Sequence, residues 1–421
     1  MLRQRLTARG RHDGGVIAGL VSPRPASRTR AWGIVGALSV TETVSWGILY
    51  YAFAVFLLPM QRELGYSAAQ LTGAFSLALL VSAVAGLAVG RHLDRRSPRA
   101  VMTLGSVAGV LLVLAWSQVE GLAAFYALWV GIGLVMAAVL YEPAFTVLAK
   151  WFPEPAARRR AMTTMTLAGA LASFIFLPLA QVLIDDYGWR DALVVLALML
   201  ALVTVPLHAV SLRAAPEVWR SRHVAMASAS ARQALRSASF WLLSGAFFLA
   251  TAAAIAVTAQ GIPFLLERGY SPSFVAFSIG VIGVSQIPGR LLFAPVAERL
   301  PAPWGTVALF VLIAAGIALI VGIDATLAVV AGLVLLGMGN GMATLARATV
   351  IADRYGAAAY GTIASVAASA TIGARAAAPV AAAAYAAVVG YSALLVTLGV
   401  IAAFAAALAY AAERGAGEAA A

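Results

Sequence analysis

Long apolar stretches recur along almost the whole chain and constrain its fold more than any other feature. Of its 421 residues, 62% are hydrophobic and only 11% are charged, far from the averages of soluble proteins. A helix needs about 20 apolar residues to cross a bilayer. Runs of suitable length cover residues 31–58, 68–89, 100–117, 122–149, 161–184, 190–210, 239–266, 273–296, 304–323, 326–352, 360–388 and 391–411. The sequence therefore predicts an all-α membrane protein with twelve transmembrane helices.

The longest polar segment between these runs divides them into six and six. We therefore predict a basic tail, an N-terminal six-helix bundle, a linker, a C-terminal six-helix bundle and a short second tail. Their boundaries are 1–30, 31–210, 211–238, 239–411 and 412–421.

Short landmarks repeat between the two predicted bundles. Residues 64–67 (Leu-Gly-Tyr-Ser) are matched by residues 268–271 (Arg-Gly-Tyr-Ser). Without any gap, the same offset brings residues 94–95 (Asp-Arg) onto residues 298–299 (Glu-Arg). Such matches indicate two parallel six-helix repeats, an arrangement in which transporters bind their substrate near the middle of the membrane, between the repeats.

Basic residues are distributed unevenly between the two sides of the predicted membrane protein. Most of the 29 Lys and Arg fall in the tail, the even-numbered turns and the C-terminus, which one topology places on the same side. Arg62, Arg190 and Arg268 fall on the other side. An excess of basic residues marks the cytoplasmic side, so both termini are predicted to be cytoplasmic, in a bacterial cytoplasmic membrane. The bias also explains the net charge of +12 without a nucleic-acid partner.

Five charged side chains lie well inside the predicted spans. A charge at the bilayer centre costs about 2.5–3.5 kcal/mol even on the most lenient scale, so each of them should face protein or water. They are Glu42, Glu142, Arg290, Arg347 and Arg375.

The arginines among these charges are candidates for binding an anion. Arg375 lies near the middle of its span among small alanines, so it can face a ligand carboxylate or form a structural ion pair. Arg290 follows Gln286 by four residues, which places both on one helix face. Arg347 lies nearer its span end, where we expect it to extend toward water or to pair with an acidic residue.

The acidic residues have two interpretations that the sequence leaves open. Either Glu42 or Glu142 could couple transport to protons, because a carboxyl group in an apolar environment binds a proton more readily than in water. Each could equally pair with an arginine, with Arg347 as one candidate for Glu142. Aromatic residues beside these acids could line a cavity, and we select Tyr51 and Tyr141 as candidate binding residues.

The turn between the second and third spans carries a recognisable motif. Residues 90–99 read Gly-Arg-His-Leu-Asp-Arg-Arg-Ser-Pro-Arg. The pattern Gly-x-x-Leu-Asp-Arg-x-x-x-Arg resembles the corresponding loop of the major facilitator superfamily. The resemblance implies that Asp94 contacts a helix N-terminus and a nearby arginine, and so holds the inward side closed. With their counterparts in the second half, the predicted gating residues are Gly90, Asp94, Arg95, Arg99, Glu298 and Arg299.

Residues 286–290, Gln-Ile-Pro-Gly-Arg, resemble the eighth-helix motif of monocarboxylate transporters. The resemblance implies that Arg290 binds the substrate carboxylate, with Gln286 in place of that family's acidic residue and Tyr51 in place of its first-helix lysine. Oxalate/formate antiporters are similar in pairing an eighth-helix arginine with a basic residue of the eleventh helix, here Arg375.

These observations predict a secondary transporter that moves a small organic anion, a mono- or dicarboxylate, by alternating access. Proton-coupled efflux of drugs or hydrophobic metabolites is the alternative. The sequence contains neither a nucleotide-binding loop nor a set of catalytic or metal-ligating residues, so we expect no enzyme activity, no metal and no cofactor. The expected partners are the substrate anion, protons in a coupled mechanism, and the lipid bilayer, with the protein working as a monomer.

Overall fold

The computed structural model describes residues 28–212, 231–300 and 304–418, and within them every regular element is helical. The predicted tail (1–30) and linker (211–238) lie largely outside these residues. The prediction of an all-α fold with twelve spans is confirmed. The spans are α1 (Arg28–Leu64), α2 (Ala68–Arg95), α3 (Pro98–Trp116), α4 (Leu122–Trp151), α5 (155–187), α6 (189–211), α7 (Ala238–Glu267), α8 (Pro272–Arg299), α9 (Trp304–Gly322), α10 (Thr326–Tyr355), α11 (Tyr360–Val389) and α12 (Tyr391–Glu418).

The fifth and sixth spans follow one another without a loop. Together they form a helical stretch of 57 residues, Pro155–Ser211. A straight helix of that length would measure about 85 Å, nearly three times the thickness of the hydrocarbon core. Gly188 has φ 79° and ψ 163°, which is not helical and which a residue with a side chain rarely adopts. The chain therefore reverses at Gly188 and crosses twice.

The landmarks predicted to repeat have the same local structure in both halves. Gly65 ends α1 with φ 71° and Gly269 follows α7 with φ 81°. Ser67 and Ser271 then cap α2 and α8, each accepting a hydrogen bond from a backbone N–H in the first turn. A glycine that stops one helix and a serine that starts the next fix a tight turn. The two six-helix repeats are thus built from the same turns.

Some boundaries differ from the predicted ones. Helix α1 is longer than 31–58 at both ends, and α12 continues beyond residue 411 to Glu418. Hydropathy finds the apolar part of a helix, whereas the hydrogen-bonded helix extends into the polar region. Helix α4 is interrupted at Leu140, whose extended backbone separates Leu122–Val139 from Tyr141–Trp151.

Helix α1 contains a π-helical segment, Gly47–Tyr51. Its wider turn adds a residue to the helix and lets both Tyr50 and Tyr51 face the same side as Trp46. Gly47 lets Phe176 pack closely against this segment, because a Cβ at Gly47 would lie 2.2 Å from the Phe176 ring. The segment therefore concentrates three aromatic rings on one wall.

The two halves meet most extensively along α2 and α11, with further contacts of α5 against α8 and α10. Gly90 and Gly361 allow close approach, since a Cβ on Gly90 would lie 2.2 Å from the Gly361 carbonyl oxygen. This contact lies at the ends where α2 and α4 finish and α11 begins. We call that end of the molecule the basic face and the opposite end, at Gly65 and Gly188, the far face.

Candidate functional site

A cavity of about 1190 Å³, counted with the open space at its mouth, lies between the two halves. One wall comes from the N-terminal half and is largely aromatic. The other comes from the C-terminal half and is polar and basic. The lining side chains that carry a charge, a ring or a hydrogen-bonding group are Trp46, Tyr50, Tyr51, Ser82, Tyr141, Glu142, Phe247, Thr251, Gln286, Arg290, Asn340, Thr344, Arg347, Ser365, Ser369, Thr371 and Arg375.

All five residues predicted to bind substrate line this cavity. Arg290 is 6% exposed, and its guanidinium donates to the backbone carbonyl of Thr166 at 2.6 Å and to Gln286 Oε1 at 3.5 Å. Its Nε has no partner among the described residues. Arg290 is therefore held by neutral groups, and its positive charge has no carboxylate beside it.

Arg375 is freer than Arg290. It makes no hydrogen bond or ion pair with any residue that the structure describes, and it is partly exposed to the cavity. It lies 15 residues into α11, about 22 Å from the helix start at 1.5 Å per residue. Ala374 and Ala376 beside it are buried and small. The guanidinium thus has room around it deep in the molecule.

The predicted tyrosines belong to an aromatic wall. The Trp46 ring centre lies 4.9 Å from that of Tyr141, 5.1 Å from Tyr50 and 6.3 Å from Tyr51. Tyr51 and Tyr141 line the same cavity as Arg290 and Arg375. The aromatic wall therefore faces the arginines across the cavity.

Glu142 forms an ion pair across the two halves. Its Oε1 accepts from Arg347 at 2.5 Å and its Oε2 accepts from a second Arg347 nitrogen at 3.2 Å. The Arg347 and Glu142 side chains are 9% and 21% exposed, and both line the cavity. Of the two interpretations left open for Glu142, the structure contains the ion pair with Arg347.

Glu42 is fully buried behind the aromatic wall. Its Oε2 accepts from Trp46 Nε1 at 3.1 Å, while Oε1 has no partner among the described residues. The ion pair with a membrane arginine that the sequence allowed is not formed within the part of the chain that the structure describes. Trp46, which donates to this carboxyl group, lines the cavity.

Asp94 joins the two halves at the basic face. It accepts from the backbone N–H of Gly361 at 2.9 Å and of Thr362 at 2.7 Å, in the first turn of α11. The N-terminus of a helix favours a negative charge. The nearby cation is Lys150 Nζ, 3.6 Å from Oδ1, where the resemblance had implied an arginine. Lys150 lies in the last turn of the short helix Tyr141–Trp151 and was missed, because sequence spacing does not bring it to Asp94.

The other predicted gating residues contribute less to this closure. Arg95 and Arg299 are exposed, and Arg99 Nε donates to the Ala209 carbonyl at 2.9 Å, within the N-terminal half. The side chain of Glu298 lies outside the described residues.

A second contact between the halves at the basic face was also missed by the sequence reasoning. Arg158 and Arg159 of α5 both bind the carboxylate of Asp353 in α10, the latter at 3.0 Å. These residues lie at helix ends, where charged side chains are common, so no sequence signal distinguishes them. Together with the Asp94 contacts, they join the two halves at the basic face.

Comparison with known proteins agrees with this architecture. The model of the Major Facilitator Superfamily matches residues 37–371. The oxalate:formate antiporter of Oxalobacter formigenes is 23% identical over 241 residues, which are 55% of this chain and 55% of that protein. Monocarboxylate transporter 13 of Bos taurus is 27% identical over 281 residues, 65% of this chain and 62% of that protein.

The chain thus spans less than two thirds of the length of these curated relatives. Among solved structures, the fucose:proton symporter of Escherichia coli matches with a TM-score of 0.69 at 14% identity, over 91% of this chain and 98% of that one. The superfamily model covers well over half of the sequence. This integral membrane protein belongs to the Major Facilitator Superfamily.

Proposed function

We propose that this protein is a transporter that moves a small organic anion, a mono- or dicarboxylate, and binds it through Arg290 and Arg375. The observation that carries the proposal is the pairing of charges in the cavity. Glu142 is occupied by Arg347, which leaves Arg290 and Arg375 facing the cavity without an acidic partner among the described residues. A substrate carboxylate would supply the missing negative charge.

The chemistry of the guanidinium group suits a carboxylate. A carboxylate can accept two parallel, charge-assisted hydrogen bonds from one guanidinium. Such bonds gain strength in a cavity with a low dielectric constant, where an unpaired charge is costly. Both curated relatives described above carry the name of a carboxylate transporter, which supports the same substrate class here.

The aromatic wall suits the rest of a small acid. Trp46, Tyr50, Tyr51 and Tyr141 offer apolar ring faces opposite the arginines, with hydroxyl groups that can bond polar substituents. Gln286, Asn340 and several Ser and Thr side chains add neutral hydrogen-bonding groups without competing charge. A small organic anion would therefore have its carboxylate on one wall and its carbon skeleton on the other.

Alternating access would proceed by breaking the contacts at the basic face. The distribution of arginine and lysine supports a cytoplasmic location for that face and for both termini, in a bacterial cytoplasmic membrane. The structure would then correspond to the state closed toward the cytoplasm. We infer that a single chain contains the complete path, because the cavity lies between its own two halves.

Proton-coupled efflux of hydrophobic compounds is the second candidate, and Glu42 is the observation that favours it. A fully buried carboxyl group with one unpartnered oxygen can take up a proton. The same residue would serve proton symport with an anion, whereas exchange of one anion for another needs no proton at all. The identity of the transported substrate distinguishes efflux from anion transport. Dependence on a pH gradient distinguishes symport from exchange.

Uptake into proteoliposomes tests the proposal. Radiolabelled oxalate, formate, lactate and pyruvate are offered with and without a pH gradient, beside a lipophilic cation as the alternative substrate. Arg375→Lys keeps the charge but loses the bidentate geometry, so we expect about 2–5 kcal/mol weaker binding, an increase in apparent Kd of roughly 30-fold or more. Arg290→Ala should bind more weakly still. Arg62→Lys, at an exposed arginine near the far face, is the matched control. Transport of the cation, or unchanged affinity in both cavity variants, would contradict the proposal.

A further inference from the structure

The ion pair between Glu142 and Arg347 occupies the floor of the cavity, on the side of the basic face. Glu142 belongs to the N-terminal half and Arg347 to the C-terminal half, so the pair joins the two. Arg347 lies eight residues before the end of α10 and Glu142 lies nine before the end of α4, which puts both about 12–14 Å from the basic face. We propose that the substrate anion opens the basic face by replacing Glu142 as the partner of Arg347.

The surroundings of the pair fit an exchange of partners. Arg347 is buried, and a buried guanidinium without a neighbouring anion is energetically costly. The pair therefore does not simply dissociate. A substrate carboxylate first bound at Arg290 and Arg375 can then move onto Arg347. There it takes over the two hydrogen bonds that Glu142 makes, since both groups present the same two oxygens. The guanidinium then keeps an anion throughout, and the ion pair between the halves is lost only when substrate is present.

The release of Glu142 from Arg347 can reach the basic face through the helix that carries Glu142. Glu142 lies near the start of the short helix Tyr141–Trp151, which begins after the extended residue Leu140 and carries Lys150, beside Asp94, in its last turn. Residues 143–151 are all buried in one short helix, so a shift at Glu142 would be passed along that helix to Lys150. Displacing Glu142 therefore moves Lys150, and Asp94 at the first turn of α11 loses its cation. Water entering from the opened face then hydrates the released Glu142.

A small void between the ion pair and Asp94 provides the place to observe this motion. Glu142, Thr146, Gly361 and Ala364 line it, and Ala364 is 1% exposed. The chain has no cysteine, so Ala364→Cys would be its sole thiol. Its rate of reaction with a membrane-impermeant maleimide, added in proteoliposomes from the side of the basic face, reports how often that face opens.

The experiment compares this rate in the native background and in Glu142→Gln, with and without a carboxylate. Glutamine keeps the shape and removes the charge, so labelling without substrate should rise at least tenfold. The double variant Glu142→Arg with Arg347→Glu should return the rate to its slow value. Glu413→Gln, which breaks the Arg354–Glu413 pair within the C-terminal half at 2.6 Å, is the matched control and should leave labelling unchanged.

The role assigned to the substrate here rests on the proposed function. Uptake measured in the same proteoliposomes distinguishes a failure of this inference from a failure of the proposed function. A carboxylate that is transported should accelerate labelling of the native background severalfold and leave Glu142→Gln unaffected. A carboxylate that is transported without accelerating labelling overturns this inference and leaves the proposed function standing. Slow labelling of Glu142→Gln also overturns it. The absence of any carboxylate transport instead refutes the proposed function.

Discussion

Replacing Asp94 by asparagine should open the basic face, because several contacts meet on this one carboxylate. It accepts two backbone N–H groups of α11, from Gly361 at 2.9 Å and Thr362 at 2.7 Å. Lys150 Nζ lies 3.6 Å away, and the side chains of Asp94 and Lys150 are only 4% and 3% exposed. Water therefore compensates for little of what the substitution removes.

The size of the effect follows from these contacts. Asparagine has one oxygen, so it accepts one of the two N–H groups while its own NH₂ faces the other donor. Losing a hydrogen bond to a charged group costs about 1.5–3 kcal/mol, and removing one partner of a buried ion pair costs about 3–5 kcal/mol. Because these contacts overlap, we expect the closed state to lose about 3–5 kcal/mol in all, which lowers the ratio of closed to open molecules roughly 150- to 4000-fold.

Two measurements check this prediction. Asp94→Asn should label faster at Ala364→Cys and should transport substrate much more slowly, because the return to the closed state limits the cycle. The amount of protein in the membrane should stay normal. Asp185→Asn, at an exposed acid near the far face, makes the same chemical change and serves as control. Native uptake by Asp94→Asn together with unchanged labelling would refute the reasoning.

Two further substitutions test the closure and the buried acid. Gly361→Ala would put a Cβ 2.5 Å from the Gly90 carbonyl oxygen, so we expect faster thiol labelling and slower uptake, whereas Gly373→Ala on the same helix meets nothing within 4 Å and should behave as the native chain does. Glu42→Gln can still accept the hydrogen bond from Trp46, so the protein should fold and exchange substrate but lose accumulation driven by a pH gradient. Unchanged accumulation would exclude Glu42 as the proton carrier.

The number of helices and their repetition could be predicted because the signals for them are local. An apolar run of sufficient length specifies a span wherever it occurs. Gly65 and Ser67 stop one helix and start the next through contacts within a few residues, and Gly269 and Ser271 repeat the same turn. Boundaries were less accurate, because a helix such as α12 continues into polar sequence that hydropathy does not recognise.

Several residues that line the cavity could also be predicted, because burying a charge in the membrane is costly. A charged residue within a span must face protein or water, and this reasoning selected Arg290, Arg375 and Glu142, which line the cavity. It did not find Asn340 or Trp46, because neither side chain carries a charge. It also could not find Lys150 or Asp353, which lie at helix ends where any charge is tolerated.

Partners across the two halves could not be predicted, because they depend on the rotation of one helix relative to another. One residue along a helix turns a side chain by about 100°, and the break at Leu140 resets the rotation of the segment that carries Glu142. Arg347 and Arg375 were therefore both conceivable partners of this acid. The choice matters for function. Had Glu142 paired with Arg375, the cation deepest in the cavity would be neutralised within the protein. Because Glu142 pairs with Arg347, Arg375 has no acidic partner among the described residues, as the proposed binding of an anion requires.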